Sequence, residues 1–134
     1  MKEGPSPATF PKSLRLLRRA DFRRVYDEGQ RRSSSLCTAF WRANGLPHTR
    51  MGITTPTKLG NAVLRNRLKR RLREVFRLNQ ATMARGWDVV LNPRPAVAWV
   101  SFQHLVKEIL RLFPRTPPAE GAPRDGEAVR DQAP

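Results

Sequence analysis

Residues 58–77 carry Lys58, Arg65, Arg67, Lys69, Arg70, Arg71, Arg73 and Arg77 against one carboxylate, Glu74, a local net charge of +7. Cations at this density repel one another. A polyanion relieves that repulsion, because its phosphates pair with the cations and condensed counterions are released. Glu74 can offset Arg70 and Arg77 by helix-spaced pairing, worth only a few tenths of a kcal/mol each. A merely solvated helix face would mix signs, and this one does not. The chain as a whole agrees, with a net charge of +15 over 134 residues and a pI near 11.7. Nucleic acid is therefore the first candidate partner.

Those cations need a scaffold that presents them together. Gly60 permits a sharp bend, and Asn61 is placed to accept an orphan N–H as the N-cap of a helix. No Pro or Gly follows until beyond Arg77. Leu64, Leu68, Leu72, Val75 and Phe76 recur at three- and four-residue steps and share one face. Asn66, Lys69, Arg70, Arg73 and Arg77 fall on the opposite side, with Arg65 and Arg67 flanking.

The remaining chain supplies a sheet and two further helices. Residues 1–13, with Gly4, Pro5, Pro7 and Pro11, read as a flexible arm. A short helix follows over residues 18–29, stopped by Gly29, with Phe22, Val25 and Tyr26 on one face. Two aromatic rings so spaced suit a core or a base-stacking surface, and the spacing allows either. Residues 31–42 read as one strand, and Phe40 on it carries the same two readings. Asn44-Gly45 and Pro47 mark a turn, and residues 50–55 read as a second strand closed by Pro56. These two strands could pair as an antiparallel hairpin. Residues 87–91 form a short apolar strand suited to a sheet interior, stopped by Asn92-Pro93-Arg94-Pro95. Ser101 can cap a last helix over residues 102–113 that buries Leu105, Val106, Ile109, Leu112 and Phe113. Residues 114–134 are Pro-rich, carry a net charge of −1 and are too poor in apolar groups to fold.

Composition excludes several kinds of chemistry. The chain has one cysteine, Cys37, so no internal disulfide can form, which suits a reducing compartment. Cys37 reads as a small apolar filler of a strand. His48 and His104 have no partner at metal-ligand spacing. No cluster of Asp and Glu could hold two Mg²⁺ ions, and no His pair could serve as general acid and base. No catalytic or metal-binding residue is expected. No run approaches the roughly 18 apolar residues of a membrane span, and no secretory segment leads the chain. The expectation is a cytoplasmic RNA-binding protein of one domain.

The run Gly60-Asn61-Ala62-Val63-Leu64-Arg65-Asn66-Arg67-Leu68-Lys69-Arg70, continuing to Arg73-Glu74, resembles the signature of the bacterial ribonuclease P protein component. That family's pattern is Gly-x-Ala-Val-x-Arg-Asn-Arg-x-Lys-Arg. An Arg-rich helix could supply Arg-x-Arg by chance, but not the Gly-x-Ala-Val lead-in as well. In layout the resemblance spans residues 14–113, flanked by the arm (1–13) and the tail (114–134). It implies an α+β fold with a small mixed sheet of about four strands packed by three helices. The architecture would be an α/β sandwich like the second domain of ribosomal protein S5, with a left-handed βαβ crossover. It also implies the function: the protein subunit of a ribonucleoprotein endonuclease whose catalytic RNA, with Mg²⁺ bound mainly by that RNA, removes the 5′ leader of precursor tRNA. One protein per RNA is expected. Arg65, Asn66, Arg67, Lys69, Arg70 and Arg73 match the family's RNA-contacting motif. Phe22, Tyr26 and Phe40 match positions lining the cleft for the single-stranded leader, with Lys58 beside them. Thr57 stands where the family often has a second lysine.

Two other readings share the composition. One is a non-enzymatic RNA-binding protein such as a ribosomal protein. The other is a basic amphipathic helix on an acidic membrane, which would have to withdraw its apolar face from the core.

Overall fold

The computed structural model describes residues 12–118. Three helices, α1 (Arg19–Glu28), α2 (Ala62–Asn79) and α3 (Phe102–Leu112), surround four strands, β1 (Gln30–Ser33), β2 (Cys37–Ala43), β3 (Arg50–Ile53) and β4 (Trp87–Pro93). The strand order is β1-β2-β4-β3. β4 is antiparallel to β2 and parallel to β3, so the sheet is mixed. The parallel pair is joined through α2, which makes β3–α2–β4 a βαβ unit. The fold is thus the expected α+β arrangement of a four-stranded mixed sheet with three helices.

Strand alternation separates the two faces of the sheet. Cys37, Ala39, Trp41, Met51, Val89 and Leu91 point to one side and join Leu68, Leu72, Val75 and Phe76 of α2 and Leu105, Ile109 and Leu112 of α3 in the main core. The apolar face of α2 is therefore committed inward, which removes the membrane-surface reading. Among the described residues no helix is long and apolar enough to cross a membrane. On the other side Val90 lies between Phe40 and Gly52 in register. It packs with Leu16 and Val25, and half-buried Phe22, Tyr26 and Phe40 close over it. α1 covers this second face.

Both predicted caps form. The Asn61 side chain accepts from the Leu64 N–H at 2.9 Å, and the Ser101 hydroxyl accepts from the His104 N–H at 3.1 Å. Gly60 has φ of +149°, a backbone state that side chains disfavour. Gly29 ends α1 for a different reason from the one its position suggests. Its φ is −93°, so left-handed freedom is not needed, but a Cβ there would stand 2.5 Å from the Trp41 carbonyl oxygen.

The strands correct two expectations. Residues 31–42 are not one strand: the chain reverses at Ser34–Leu36, and β1 pairs antiparallel with β2. The Ser34 N–H donates to the Cys37 carbonyl at 2.8 Å and its hydroxyl accepts from the Leu36 N–H, so the serine run makes the turn itself. Nor do β2 and β3 form a hairpin, because β4 lies between them. The physical reason is burial. Trp87 through Leu91 are all buried, and only an interior position offers them neighbours on both edges and cover on both faces.

Of the arm expected over residues 1–13, only Lys12 and Ser13 lie within the described residues, in a 3-10 turn, Lys12–Leu14. Of the tail expected over 114–134, residues 119–134 lie outside them. The first residues after α3 are held against the fold, since the Trp87 indole N–H donates to the Thr116 carbonyl at 2.8 Å.

Cys37 is fully buried under the main core, and burial pushes its thiol up to about 12, outweighing a backbone hydrogen bond from Asn92 and the charge of Arg94. The thiolate is the reactive species. Folded protein at pH 8 should therefore resist alkylation, with labelling appearing only across the urea unfolding transition. Rapid labelling without denaturant would show that strand β2 opens locally.

Candidate nucleic-acid interface

α2 presents Lys69, Arg70, Arg73 and Arg77 on one side. Asn66, Lys69, Arg70, Arg73, Glu74 and Arg77 line a shallow groove there, and Arg15 completes it. Arg15 arrives from the segment before α1, which runs beside β3: residue 15 bridges to Met51, and the Leu16 N–H donates to the Met51 carbonyl at 3.0 Å. No helical pattern marks Arg15, so only the tertiary structure adds it to the surface. Partial burial, and then the Arg15 charge, lower the pKa of Arg73. Glu74 pairs with Arg77 one turn on rather than with Arg70, and hydrogen bonding to that guanidinium holds the carboxyl below its usual range. Among the described residues Glu74 is the one carboxylate that lines the groove, against Arg15, Lys69, Arg70, Arg73 and Arg77.

The flanking arginines are pre-positioned. Arg65 donates from Nε to the Gly60 carbonyl at 3.2 Å, fixing it over the turn. Arg67 donates from Nε to the Ala98 carbonyl at 2.8 Å. Arg71, which the motif does not single out, donates to the Val97 carbonyl at 2.6 Å. A guanidinium has five N–H donors, so each keeps donors for a phosphate while its orientation is set by the protein.

The second candidate surface lies on the opposite face of the sheet. The Tyr26 hydroxyl donates to Asn92 Oδ1 at 2.9 Å and, with its proton so used, accepts from the Thr54 hydroxyl at 2.7 Å. Its ring meets Phe40 edge-on, centroids 4.8 Å apart. Phe22 lies across Gly52, where a Cβ would stand 2.5 Å from the ring. Phe22, Tyr26 and Phe40 are each half-buried around Val90, so they serve the local core and still present ring surface. Register adds a residue that the sequence pattern hides: Arg31 sits opposite Phe40 on β1, on the same face, and is exposed. Lys58 is exposed in the 3-10 turn Thr57–Leu59 that follows β3, four residues beyond Thr54.

Ion pairs tie α1 to this face. Arg42 bonds Glu28 at 2.8 Å. Arg50 holds buried Asp88 through two nitrogens, at 2.9 and 2.7 Å, and lies 3.9 Å from Asp21. The hydrogen bonding that Arg50 donates to Asp88, above all, raises the pKa of Arg50. Asn44 completes the Asp88 shell at 2.9 Å. These carboxylates are consumed in structure. Among the described residues no group of three or more His, Cys, Asp or Glu could hold a metal ion.

A family model described as Ribonuclease P matches residues 10–116. The ribonuclease P protein component of Thermotoga maritima is 34% identical over 111 residues, covering 80% of this chain and 95% of that protein. The component from Caldanaerobacter subterraneus is 35% identical over 106 residues, covering 79% and 91%. Among solved structures, the Thermotoga maritima RNase P protein superposes with a TM-score of 0.69 at 34% identity, covering 74% of this chain and 94% of that one. The Staphylococcus aureus RNase P protein gives 0.65 at 29% identity, covering 77% and 100%.

Proposed function

The chain belongs to the ribonuclease P protein family, and from that premise we propose that α2 and Arg15 hold the catalytic RNA while the face under α1 holds the 5′ leader of precursor tRNA. The protein is the protein component of a tRNA-processing ribonucleoprotein endonuclease, and its RNA subunit carries the catalysis. Its partners are that RNA and precursor tRNA. The ribosomal-protein alternative falls with the family match.

The observation that carries the assignment of surfaces is the division of the sheet. Lys69, Arg70, Arg73 and Arg77 of α2 line one groove with Arg15, Arg65 and Arg67 being tied beside it to the Gly60 and Ala98 carbonyls, and the half-buried rings pack on the other face. Phosphates suit the groove and its flanks, because Asn66, Lys69, Arg70 and Arg73 within it and Arg65 and Arg67 beside it offer forked or charged donors. Unpaired bases suit the other face. Stacking tolerates any base, which fits a leader that varies between precursors. Arg31 and Lys58 would meet the leader's phosphates. The chain's own acids do not fit a Mg²⁺ site among the described residues, so we place Mg²⁺ on the RNA. We further infer one protein per RNA, working in the cytoplasm.

Phe40→Leu tests the leader surface. The substitution keeps most of the apolar volume and removes the ring. Holoenzyme affinity for precursor carrying a leader should fall by about 1 kcal/mol or more, while affinity for mature tRNA stays level at the same salt concentration. Equal losses on both substrates would make the ring a core residue alone.

A further inference from the structure

The three tryptophans of the chain have different fates. Trp41 and Trp87 are buried, whereas Trp99 is 69% exposed. An exposed indole leaves a large apolar surface in water, and Trp, with an apolar ring and one polar N–H, is enriched at interfaces. The backbone that carries Trp99 is fixed. Trp99 follows the 3-10 turn Pro95–Ala98, its backbone N–H donates to the Ala96 carbonyl at 3.0 Å, and the preceding Val97 and Ala98 are buried. The carbonyls of Val97 and Ala98 are the acceptors for Arg71 and Arg67 of α2. Two guanidiniums are thus fastened to the turn that carries the ring. Val63, 77% exposed, precedes Arg67 by one helical turn on the same stripe.

We propose that Trp99 stacks on an unpaired base of the catalytic RNA, with Arg67 and Arg71 taking the neighbouring phosphates, so that the RNA surface of α2 extends around its flank onto the turn before α3. This rests on the reading that α2 faces that RNA. An apolar ring bordered by cations matches a nucleotide, which offers a π-face and a phosphate together. Arg67 and Arg71 crowd each other: burial, then the Arg67 charge, lower the pKa of Arg71, and an anion would ease that repulsion. A second copy of the chain is a poor occupant, because it would bring another net charge of +15 against these arginines. The leader surface lies across the sheet under α1, whereas the carbonyls of the two residues before Trp99 are bonded by α2.

The test uses the full chain and the RNA subunit made by transcription, with Trp99→Ala, Trp99→Phe and Arg70→Ala compared with wild type. Trp99→Ala should bind roughly 5- to 150-fold more weakly, the range expected for one stacked base. The salt slope should not change, because the indole carries no charge. Trp99→Phe should recover most of the affinity. RNA should quench the fluorescence of wild type but not of Trp99→Phe, whose two remaining indoles are buried. Thermal unfolding should be unaltered in all variants. Weakening in Arg70→Ala but not in Trp99→Ala would overturn this proposal and leave the α2 reading standing. No weakening in either would overturn both. A Trp99→Ala defect confined to leader-bearing precursor, or a changed sedimentation of the free protein, would assign the ring to substrate or to a second copy and overturn it as well.

Discussion

Asp88→Ala is expected to lower the stability of the free protein by about 3 kcal/mol, the lower end of what removing one partner of a buried ion pair costs. Asp88 is 3% exposed, and its carboxylate receives two hydrogen bonds from Arg50 and one from Asn44. Without it, the Arg50 guanidinium keeps only the distant charge of Asp21. Asn44 loses one of the bonds that set the loop after β2, where it also bonds the His48 carbonyl and the Leu46 N–H. Arg50 keeps some contact with solvent, which is why the upper end of the range is not expected. The measurement is urea unfolding of the variant and wild type: the midpoint should fall with little change in slope. Asp88→Asn preserves shape and one acceptor and should cost less. A loss below about 1 kcal/mol for alanine would mean that water replaces the carboxylate, as at a surface pair.

Neutralising Lys69, Arg70 and Arg73 together should have the largest effect on assembly. Arg70 and Arg73 are exposed and Lys69 is half-buried, all three standing outside the core, so folding should be little affected. If each meets a phosphate, the log–log salt slope for binding the catalytic RNA should fall by about three units. Affinity at low salt should drop on the order of 100-fold or more, taking roughly 1 kcal/mol or more for each charged contact. The comparison requires titrations at several salt concentrations with one RNA preparation. An unchanged slope would place this face in solvent within the holoenzyme. A loss of affinity without a change of slope would point to altered shape rather than lost charge.

Local chemistry determined a good part of this protein. The caps at Asn61 and Ser101, the apolar stripes of α2 and α3 and the one-sided charge of α2 depend on neighbours three and four residues away. Helix geometry sets those relationships before any tertiary contact forms. The signature from Gly60 to Arg70 is of this kind, and so the basic helix was legible in the chain. Sheet order was not, because strand pairing is settled by which strand most needs cover on both faces, a property of the whole fold. β4 therefore entered between β2 and β3, and the serine run broke the first strand in two. The same long-range packing brought Arg15 beside Arg73 through an edge bridge to Met51. It set Arg31 opposite Phe40, and it left Trp99 exposed next to two residues whose carbonyls are already claimed by Arg67 and Arg71. Periodicity places a side chain on its own helix or strand. Its neighbours from distant parts of the chain depend on how the faces are buried against one another, and only the folded structure decides that.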